Sequence, residues 1–197
     1  MSKKTKIFAP IAAAGLIILF AACTKNPEIA GGAPMIPDDG SALYSLLTKE
    51  CDFSAVLTDD EIAGLLHMRE EEKLARDIYL GFSKIYDVPV FSNIAASEEK
   101  HMAAVLFLIE GYGLTDPVAG KEVGEFTDAF QELYVDLLAK GILSLEQAYE
   151  VGVTIEEQDI EDLQKCIEET KVTNILNVYS NLLNASENHL KAFKKQF

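Results

Sequence analysis

The chain has 197 residues, 49% of them hydrophobic, which is enough for one domain with a sizeable core. Its formal net charge of -15 disfavours nucleic acid as a partner, because a phosphate-binding surface needs a basic stripe that no segment supplies. Such an acidic surface suits the capture of cations, or it simply keeps the protein soluble.

Residues 1–22 have the composition of a targeting segment. A start containing three lysines precedes an apolar run over 7–20, and Ala21 and Ala22 precede Cys23. This arrangement resembles a bacterial lipoprotein signal, in which the cysteine becomes the lipidated first residue of the mature chain. The resemblance implies a membrane anchor at Cys23 and a place in the cell envelope, at the outer membrane or the cell surface. A plain signal peptide or an uncleaved anchor is the alternative.

Residues 23–53 are rich in proline and glycine and show no periodicity, so we expect a flexible tether there and a folded domain over 54–197. Outside the cytoplasm Cys51 and Cys166 could form a disulfide, whereas the simpler alternative is that Cys166 is a small buried apolar residue. The chain contains no Cys-x-x-Cys, which excludes a rubredoxin-type iron site or a zinc knuckle within it.

The first long helix is predicted to start after Thr58, whose spacing to Glu61 is that of a capping box, and to run to about Tyr86. Steps of about 100° per residue place its large apolar side chains on one side, with Glu72 in the middle of that stripe. His67, Glu70 and Glu71 fall off the stripe, so we expect them in solvent.

The second helix is predicted to begin near Ser92 or Asn93 and to end near Gly111. Glu98 and His101 are three residues apart on it and share the face that carries the apolar side chains. Burying a carboxylate among aliphatic groups costs several kcal/mol unless the carboxylate is paired or coordinates a metal. A lone Glu-x-x-His is weak evidence for a metal site. It becomes stronger because the other long helices also carry ionisable residues on their apolar faces.

Two further long helices follow a segment that contains a shorter helix over about 127–140. The third long helix is predicted over 144–169, with Glu156 and Asp159 near the centre of its apolar side. The fourth is predicted over 172–195, with Ser186 and His189 on its stripe. No strand pattern of useful length occurs. Each of the four long helices therefore carries at least one ionisable side chain on its apolar face, as the residues named above show.

Four long amphipathic helices predict an all-α fold, and an antiparallel bundle is the simplest arrangement. The loops within the first and second helix pairs are short, so each pair should form a hairpin. The connection over 112–143 is long enough to recross the whole bundle. The sequence therefore predicts the up-down-down-up order of a ferritin-like four-helix bundle, with a short extra helix in the long crossover.

Six ionisable residues would then meet in one layer as candidate metal ligands. Four carboxylates could balance two divalent ions in charge, and oxygen donors with a few imidazoles suit iron or manganese. Taken singly, each acid could be a salt-bridge partner or a solvated residue, and each histidine a satisfied core residue. A single-metal or zinc site and a bundle without redox metal also remain open. The six are Glu72, Glu98, His101, Glu156, Asp159 and His189.

The segment Glu72-Lys73-Leu74-Ala75-Arg76-Asp77-Ile78-Tyr79 resembles the first-helix motif Glu-x-x-Ala-Arg-x-x-Tyr of rubrerythrins, and Glu98-x-x-His101 is similar to their second motif. The whole of about 54–197 resembles a family of uncharacterised ferritin-like domains of bacteria and archaea. The resemblance implies a di-iron carboxylate site and, by extension, oxidation of ferrous iron or reduction of peroxide or dioxygen.

The fourth helix departs from the rubrerythrin pattern, because Ser186 stands where those proteins have the Glu of Glu-x-x-His. Asp159 is the candidate replacement for the missing carboxylate. Tyr79 and Tyr179 could hydrogen-bond a ligand or relay an electron, although core packing is the simpler role for both. A redox activity would need an external electron donor, and a homodimer stays open. The contrasting hypothesis is a lipid-anchored interaction or structural protein that binds no redox metal.

Overall fold

The computed structural model describes residues 51–197. The predicted signal segment, the lipidation site Cys23 and nearly all of the tether lie outside the described residues. The prediction of an all-α domain is confirmed, since this part of the chain contains five helices and no strand. The helices are α1 (Asp59–Ile85), α2 (Pro89–Gly111), α3 (Asp128–Gly141), α4 (Leu145–Glu169) and α5 (Thr173–Lys194).

The helix starts follow from local chemistry. The Thr58 hydroxyl accepts a hydrogen bond from the backbone N–H of Glu61, whose carboxylate accepts one in return from the N–H of Thr58, so the predicted capping box is present. Pro89 occupies the first turn of α2, where its missing N–H costs nothing. Ser144 caps α4 by accepting from the N–H of Gln147.

The four long helices pack side against side. Short connections join α1 to α2 and α4 to α5, and the two helices within each of these pairs contact each other along their length. The pairs then face each other, with α1 against α4 and α2 against α5. The short helix α3 lies against α1 and α4, and it therefore covers one side of the molecule.

Two apolar clusters fill the interior. The first cluster joins the C-terminal half of α1 and the end of α5 to the N-terminal parts of α2 and α4, and it includes Ile78, Phe82, Phe91, Ile155 and Phe193. The second cluster joins the opposite helix ends and includes Leu65, Leu108, Leu163, Ile175 and Leu182. The residues between the two clusters along each helix form a polar layer, which is described below.

Buried ion pairs hold the long connection between α2 and α3 onto α1. Lys73 and Asp77, with side chains 1% and 0% exposed, form a pair of 2.6 Å between Nζ and Oδ2. The Lys73 ammonium also donates to the carbonyl of Glu122, and the N–H of Gly124 donates to Asp77. Arg76 contacts the second oxygen of Asp77 at 2.8 Å. Asp77 is therefore the anchor for this connection, a role that the sequence did not suggest.

The described residues also bear on a membrane-spanning helix and on the disulfide considered above. No helix within residues 51–197 is both long enough and apolar enough to span a membrane. The structure has no disulfide between Cys51 and Cys166, and Cys166 is buried in the second apolar cluster.

The first prediction concerns Asp77. We expect Asp77→Ala to lower the free energy of unfolding by about 3–5 kcal/mol, because the substitution leaves the buried ammonium of Lys73 without its carboxylate. Urea denaturation measures the loss. Asp136→Ala on the exposed face of α3 is the matched control and should cost less than about 0.5 kcal/mol. Equal effects of the two substitutions would contradict this role.

Candidate metal centre

The polar layer between the two apolar clusters contains all six residues that the sequence singled out. Each long helix contributes at least one of them, and every one of the six is buried, with exposures of 2 to 8%. They are Glu72 of α1, Glu98 and His101 of α2, Glu156 and Asp159 of α4, and His189 of α5. The structure thus brings together side chains that are as far as 117 positions apart in the chain, the separation of 189 and 72.

Helical spacing explains why these residues face inward together. Glu98 and His101, and likewise Glu156 and Asp159, are separated by three residues and so lie on the same face of their helices. Apolar residues one to two turns away on each face pack into the two clusters and fix the rotation of the helices. The polar side chains must then project into the layer between the clusters.

Glu98 lies at the middle of the layer, and each of its carboxylate oxygens faces one histidine. Its Oε2 is 2.6 Å from Nδ1 of His101, and its Oε1 is 2.9 Å from Nδ1 of His189. Glu72 Oε2 lies 3.2 Å from the same nitrogen of His101, and Glu156 Oε2 lies 3.5 Å from that of His189. The ring planes of the two histidines are 22° apart, with 5.7 Å between their centroids.

These contacts define two ligand groups that share one residue. Glu72, Glu98 and His101 form the first group, and within it one potential ligand atom of each residue lies within 4.8 Å of the others. Glu98, Glu156 and His189 form the second group by the same measure. Glu98 belongs to both, so the two groups are adjacent.

Asp159 belongs to neither group. Its Oδ2 is within hydrogen-bond distance of the Ser186 hydroxyl, whose oxygen also lies 2.9 Å from the carbonyl oxygen of Leu182, so the single hydroxyl proton has two possible acceptors. Ser186 therefore holds Asp159 across the space between α4 and α5. The other carboxylate oxygen, Oδ1, is buried and receives no hydrogen bond from any described residue.

A second carboxylate oxygen in the layer lacks a hydrogen bond. Glu72 Oε1 receives none within residues 51–197, whereas Glu98 Oε1 lies 2.9 Å from Nδ1 of His189. Leaving a buried acceptor unsatisfied costs about 1–3 kcal/mol. A cation coordinated by these oxygens would remove that cost, and carboxylates with imidazoles form a donor set that divalent metals accept. The residues of the layer therefore fit a metal centre.

Burial and mutual contact shift the pKa values of these groups far from their ordinary ranges. Burial raises the pKa of Glu72 to about 8, and it also raises the pKa values of Glu156 and Asp159. Burial opposes the ionisation of Glu98 too, but the neighbouring His189 and His101 outweigh it and hold the pKa of Glu98 well below its usual range.

The pKa values of the two histidines are raised by the carboxylates beside them. Burial disfavours the imidazolium of His101, but Glu98 and Glu72 outweigh burial and raise its pKa to about 10. His189 is shifted upward by Glu98 and Glu156, again against the effect of burial on its pKa. Without a metal these shifts favour the protonated forms of Glu72, His101 and His189, and a bound cation would displace such protons.

An open cavity of about 350 Å³ reaches the layer from one side. Residues of α1, α3 and α4 form most of its lining together with Glu98 of α2, and the deeply buried Glu72, Glu98, Glu156 and Asp159 lie at its inner part. Its walls are mainly apolar and include Phe130. The candidate ligands are therefore buried in the fold and still accessible to a small ion or molecule.

The two tyrosines predicted beside the ligands differ in position. The hydroxyl of Tyr79 donates a hydrogen bond of 2.7 Å to Oε1 of Glu156, so Tyr79 orients a candidate ligand. Tyr179 packs instead in the second apolar cluster, where its hydroxyl and the thiol of Cys166 both lie near Gly64. The structure does not bring Tyr179 to the polar layer.

Other assignments from the sequence need correction. The expectation that Glu70 and Glu71 are solvated is wrong, since they are 4% and 9% exposed. Helix α3 and the residue before it cover this face of α1, where the Thr127 hydroxyl donates to Glu70. Ser97, whose hydroxyl lies 3.4 Å from Nε2 of His101, was missed, although its spacing of four residues from that histidine could have indicated it.

Comparison with known proteins finds similarity over the whole helical region. A family described as an uncharacterized protein domain, DUF2202, matches residues 61–197, which contain all six candidate ligands. The uncharacterized protein MJ0754 of Methanocaldococcus jannaschii is 46% identical over 138 residues, 70% of this chain and 75% of the relative. The crystal structure of that hypothetical protein superposes with a TM-score of 0.71 and 44% identity, covering 73% of this chain and 82% of the other.

The pKa shifts predict how the stability of metal-free protein depends on pH. The pKa of Glu72 rises from 4.5 to about 8 on folding, so folding becomes less favourable as pH increases between these values. His101, with a pKa of about 10 against 6.5, stabilises the fold below pH 6.5 and loses this contribution toward pH 10. Both effects have the same sign.

We therefore expect the free energy of unfolding, measured with urea in the presence of a chelator, to fall by on the order of 2 kcal/mol from pH 5 to pH 8. Glu72→Gln should reduce this dependence without abolishing it, because the amide does not titrate whereas His101 still does. Glu110→Gln on the exposed end of α2 should leave it unchanged. A stability that increases over this range would contradict the prediction.

Proposed function

The chain belongs to the DUF2202 family of uncharacterized protein domains, and from the geometry of its polar layer we propose that it is a ferritin-like di-metal carboxylate protein. The proposed cofactor is a pair of iron ions, with manganese as the alternative metal. The proposed activity is oxidation of ferrous iron or reduction of peroxide or dioxygen at the cell envelope.

The helix arrangement supports a ferritin-like four-helix bundle. The first apolar cluster contains the C-terminal ends of α1 and α5 and the N-terminal ends of α2 and α4, as expected if α1 and α5 run one way and α2 and α4 the other. Within residues 51–197 the backbones of α1 and α5, and those of α2 and α4, do not approach each other closely, and these pairs meet only through large side chains such as the rings of Tyr79 and Phe193. This is the diagonal relation of a four-helix bundle. The helix α3 corresponds to the short extra helix in the long crossover.

The observation that carries the proposal is the position of Glu98. Its two oxygens face different imidazoles, and each oxygen is part of a separate group that also contains a second carboxylate. A structural salt bridge needs one such partner, whereas Glu98 is shared by two groups and would serve as a ligand in both if two ions were bound. Di-iron bundles have this arrangement, with two Glu-x-x-His helices and two further acids.

Charge also favours two divalent ions. Four carboxylates in the layer carry four negative charges when ionised, and two divalent ions balance them while the histidines bind as neutral imidazoles. No lysine or arginine lines the part of the cavity wall that the structure describes, so no side-chain cation competes for these acids. Asp159, held by Ser186, is the fourth carboxylate and takes the place of the acid that α5 lacks.

Tyr79, the two apolar clusters and the two histidines each have a different role in the proposed activity. Tyr79 fixes the orientation of Glu156, and the two apolar clusters limit the access of water to the side through which the cavity opens. His101 and His189 must release protons when an ion binds, because imidazole binds a metal only in its neutral form, whereas Glu98 remains ionised as the shared ligand. Bound ferrous ions would supply two electrons, which with two protons reduce peroxide to water.

The electron donor and the cellular site belong to the same proposal. Because the chain lacks Cys-x-x-Cys, an external donor must return the electrons in a peroxide-reducing cycle. The lipoprotein-like start suggests that the domain is tethered to a membrane through Cys23. The proposed setting is therefore the cell envelope, with the acidic domain facing solvent.

Metal stoichiometry tests the centre. We expect the wild-type domain to bind at least two equivalents of Fe²⁺ under anaerobic equilibrium dialysis, counted by elemental analysis. Glu98→Gln should bind about two equivalents fewer than the wild-type domain, because both groups lose their shared ligand. Glu99→Gln, the matched control, changes a neighbouring carboxylate that is 64% exposed and should bind as many equivalents as the wild-type domain. Less than one equivalent in the wild-type protein would favour a bundle without redox metal, and a single equivalent would favour a mononuclear site.

Oxidation kinetics test the activity. We expect addition of dioxygen or hydrogen peroxide to the Fe²⁺-loaded protein to produce near-ultraviolet absorbance at least about 100-fold faster than in Glu98→Gln, a difference of about 2.7 kcal/mol in the barrier. Glu99→Gln should react at the wild-type rate. Equal rates in all three proteins would show that the oxidation occurs in solution and would contradict the proposed activity.

A further inference from the structure

A second group of potential ligands lies at the outer part of the cavity. His67 and Glu71 of α1 and Asp162 of α4 each offer one ligand atom within 4.8 Å of the others. Nε2 of His67 is 3.5 Å from Oε1 of Glu71 and 3.7 Å from Oδ2 of Asp162. None of these residues belongs to the polar layer described above.

The distances in this group are longer than those of direct hydrogen bonds. Nitrogen–oxygen hydrogen bonds are usually about 2.7–3.2 Å long, so the imidazole of His67 makes neither contact at full strength. Ligands at about 2.0–2.1 Å from a tetrahedral ion are separated from one another by roughly 3.3 Å. The two distances from Nε2 of His67 are close to that value, and all three ligand atoms lie within 4.8 Å of one another, a spacing compatible with one small ion.

Glu71 gives independent evidence for a ligand at this position. Its side chain is nine-tenths buried, at 10% exposure, and its Oε2 receives no hydrogen bond from any residue in the described range. Asp162, in contrast, is held by a hydrogen bond from the amide of Gln158. The group thus pairs one oriented carboxylate with one buried carboxylate whose second oxygen is unsatisfied.

The cavity connects this outer group to the inner centre. Its walls include His67, Glu71 and Asp162 together with the four acids of the polar layer. Among the described residues that line it there are six carboxylates and neither lysine nor arginine. Low-dielectric walls with charge of one sign focus the field and concentrate counter-ions, so the cavity favours the entrance of cations.

We propose that His67, Glu71 and Asp162 form a third divalent-cation site, which takes an ion from solvent before the ion moves along the cavity to the centre. The donor set of one imidazole and two carboxylates suits Zn²⁺, Fe²⁺ or Mn²⁺. The outer site stands on its own geometry. Its role in loading the centre rests on the proposed function.

The three histidines of the chain provide a separate reporter for each position. His67 is in the outer site, and His101 and His189 are in the two groups of the centre, so imidazole ¹⁵N resonances distinguish the sites during a Zn²⁺ titration. We expect the His67 resonances to shift in the wild-type protein and also in Glu98→Gln, in which the centre is disabled. Absence of a His67 shift in the wild-type protein would overturn the outer site.

Asp162→Asn is the test variant, and Glu161→Gln, which removes the same charge from the neighbouring exposed position, is its matched control. We expect Asp162→Asn to weaken Zn²⁺ binding at His67 by about tenfold or more, since the loss of supporting groups alone costs about 10- to 100-fold in affinity. The control should bind as the wild-type protein does. Equal affinities in the two variants would overturn the assignment of Asp162 as a ligand.

The loading role is tested by rate. Stopped-flow mixing with Co²⁺, whose visible absorbance reports coordination, should fill the centre more slowly in Asp162→Asn than in Glu161→Gln. Equal rates would overturn the loading role. If His67 responds to Zn²⁺ while His101 and His189 do not, the proposed centre fails and the outer site stands; the reverse pattern contradicts the outer site alone.

Discussion

The structure depends on how four carboxylates are tolerated in one buried layer. Two imidazoles can supply at most two positive charges, so the layer has to hold protons or admit cations. The raised pKa values of Glu72, Glu156 and Asp159 reflect this demand, because they favour the uncharged acids. The contacts of Glu98 with both histidines compensate its own negative charge. The apolar clusters above and below the layer maintain this demand, because they confine water to the side on which the cavity opens.

Helix α1 separates charge between two of its sides. On one side Arg69, Lys73 and Arg76 are used within the fold, where they pair with acids or carbonyls of neighbouring segments. On the other side Glu71 and Glu72 line the cavity. The basic residues of the helix therefore stabilise the long connection without reducing the negative potential of the cavity. This division allows a strongly acidic interior wall to coexist with a well-anchored chain.

Helical periodicity was sufficient to predict the layer, because a residue within an apolar stripe must face the same interior as its neighbours. It failed at Glu70 and Glu71, since their burial depends on α3, a helix more than fifty residues away along the chain. The buried pair of Lys73 and Asp77 was missed for the same reason. Tyr179 lies on the apolar stripe of α5, as predicted, but ten residues before His189, which is about 15 Å along the helix axis. The predicted face of the helix was therefore right, but the predicted position along its axis was wrong.

The covering helix α3 has weaker attachments than the four long helices. Of its 14 residues only Gly141 is fully buried, although Phe130, Tyr134 and Leu137 pack against the first apolar cluster. Its Ala129, Phe130, Leu133 and Leu137 form one wall of the cavity. Segments with few buried contacts open at lower free energy than the rest of a domain. Local opening of α3, and not global unfolding, would therefore determine the size of the molecules that can reach the carboxylates through the cavity.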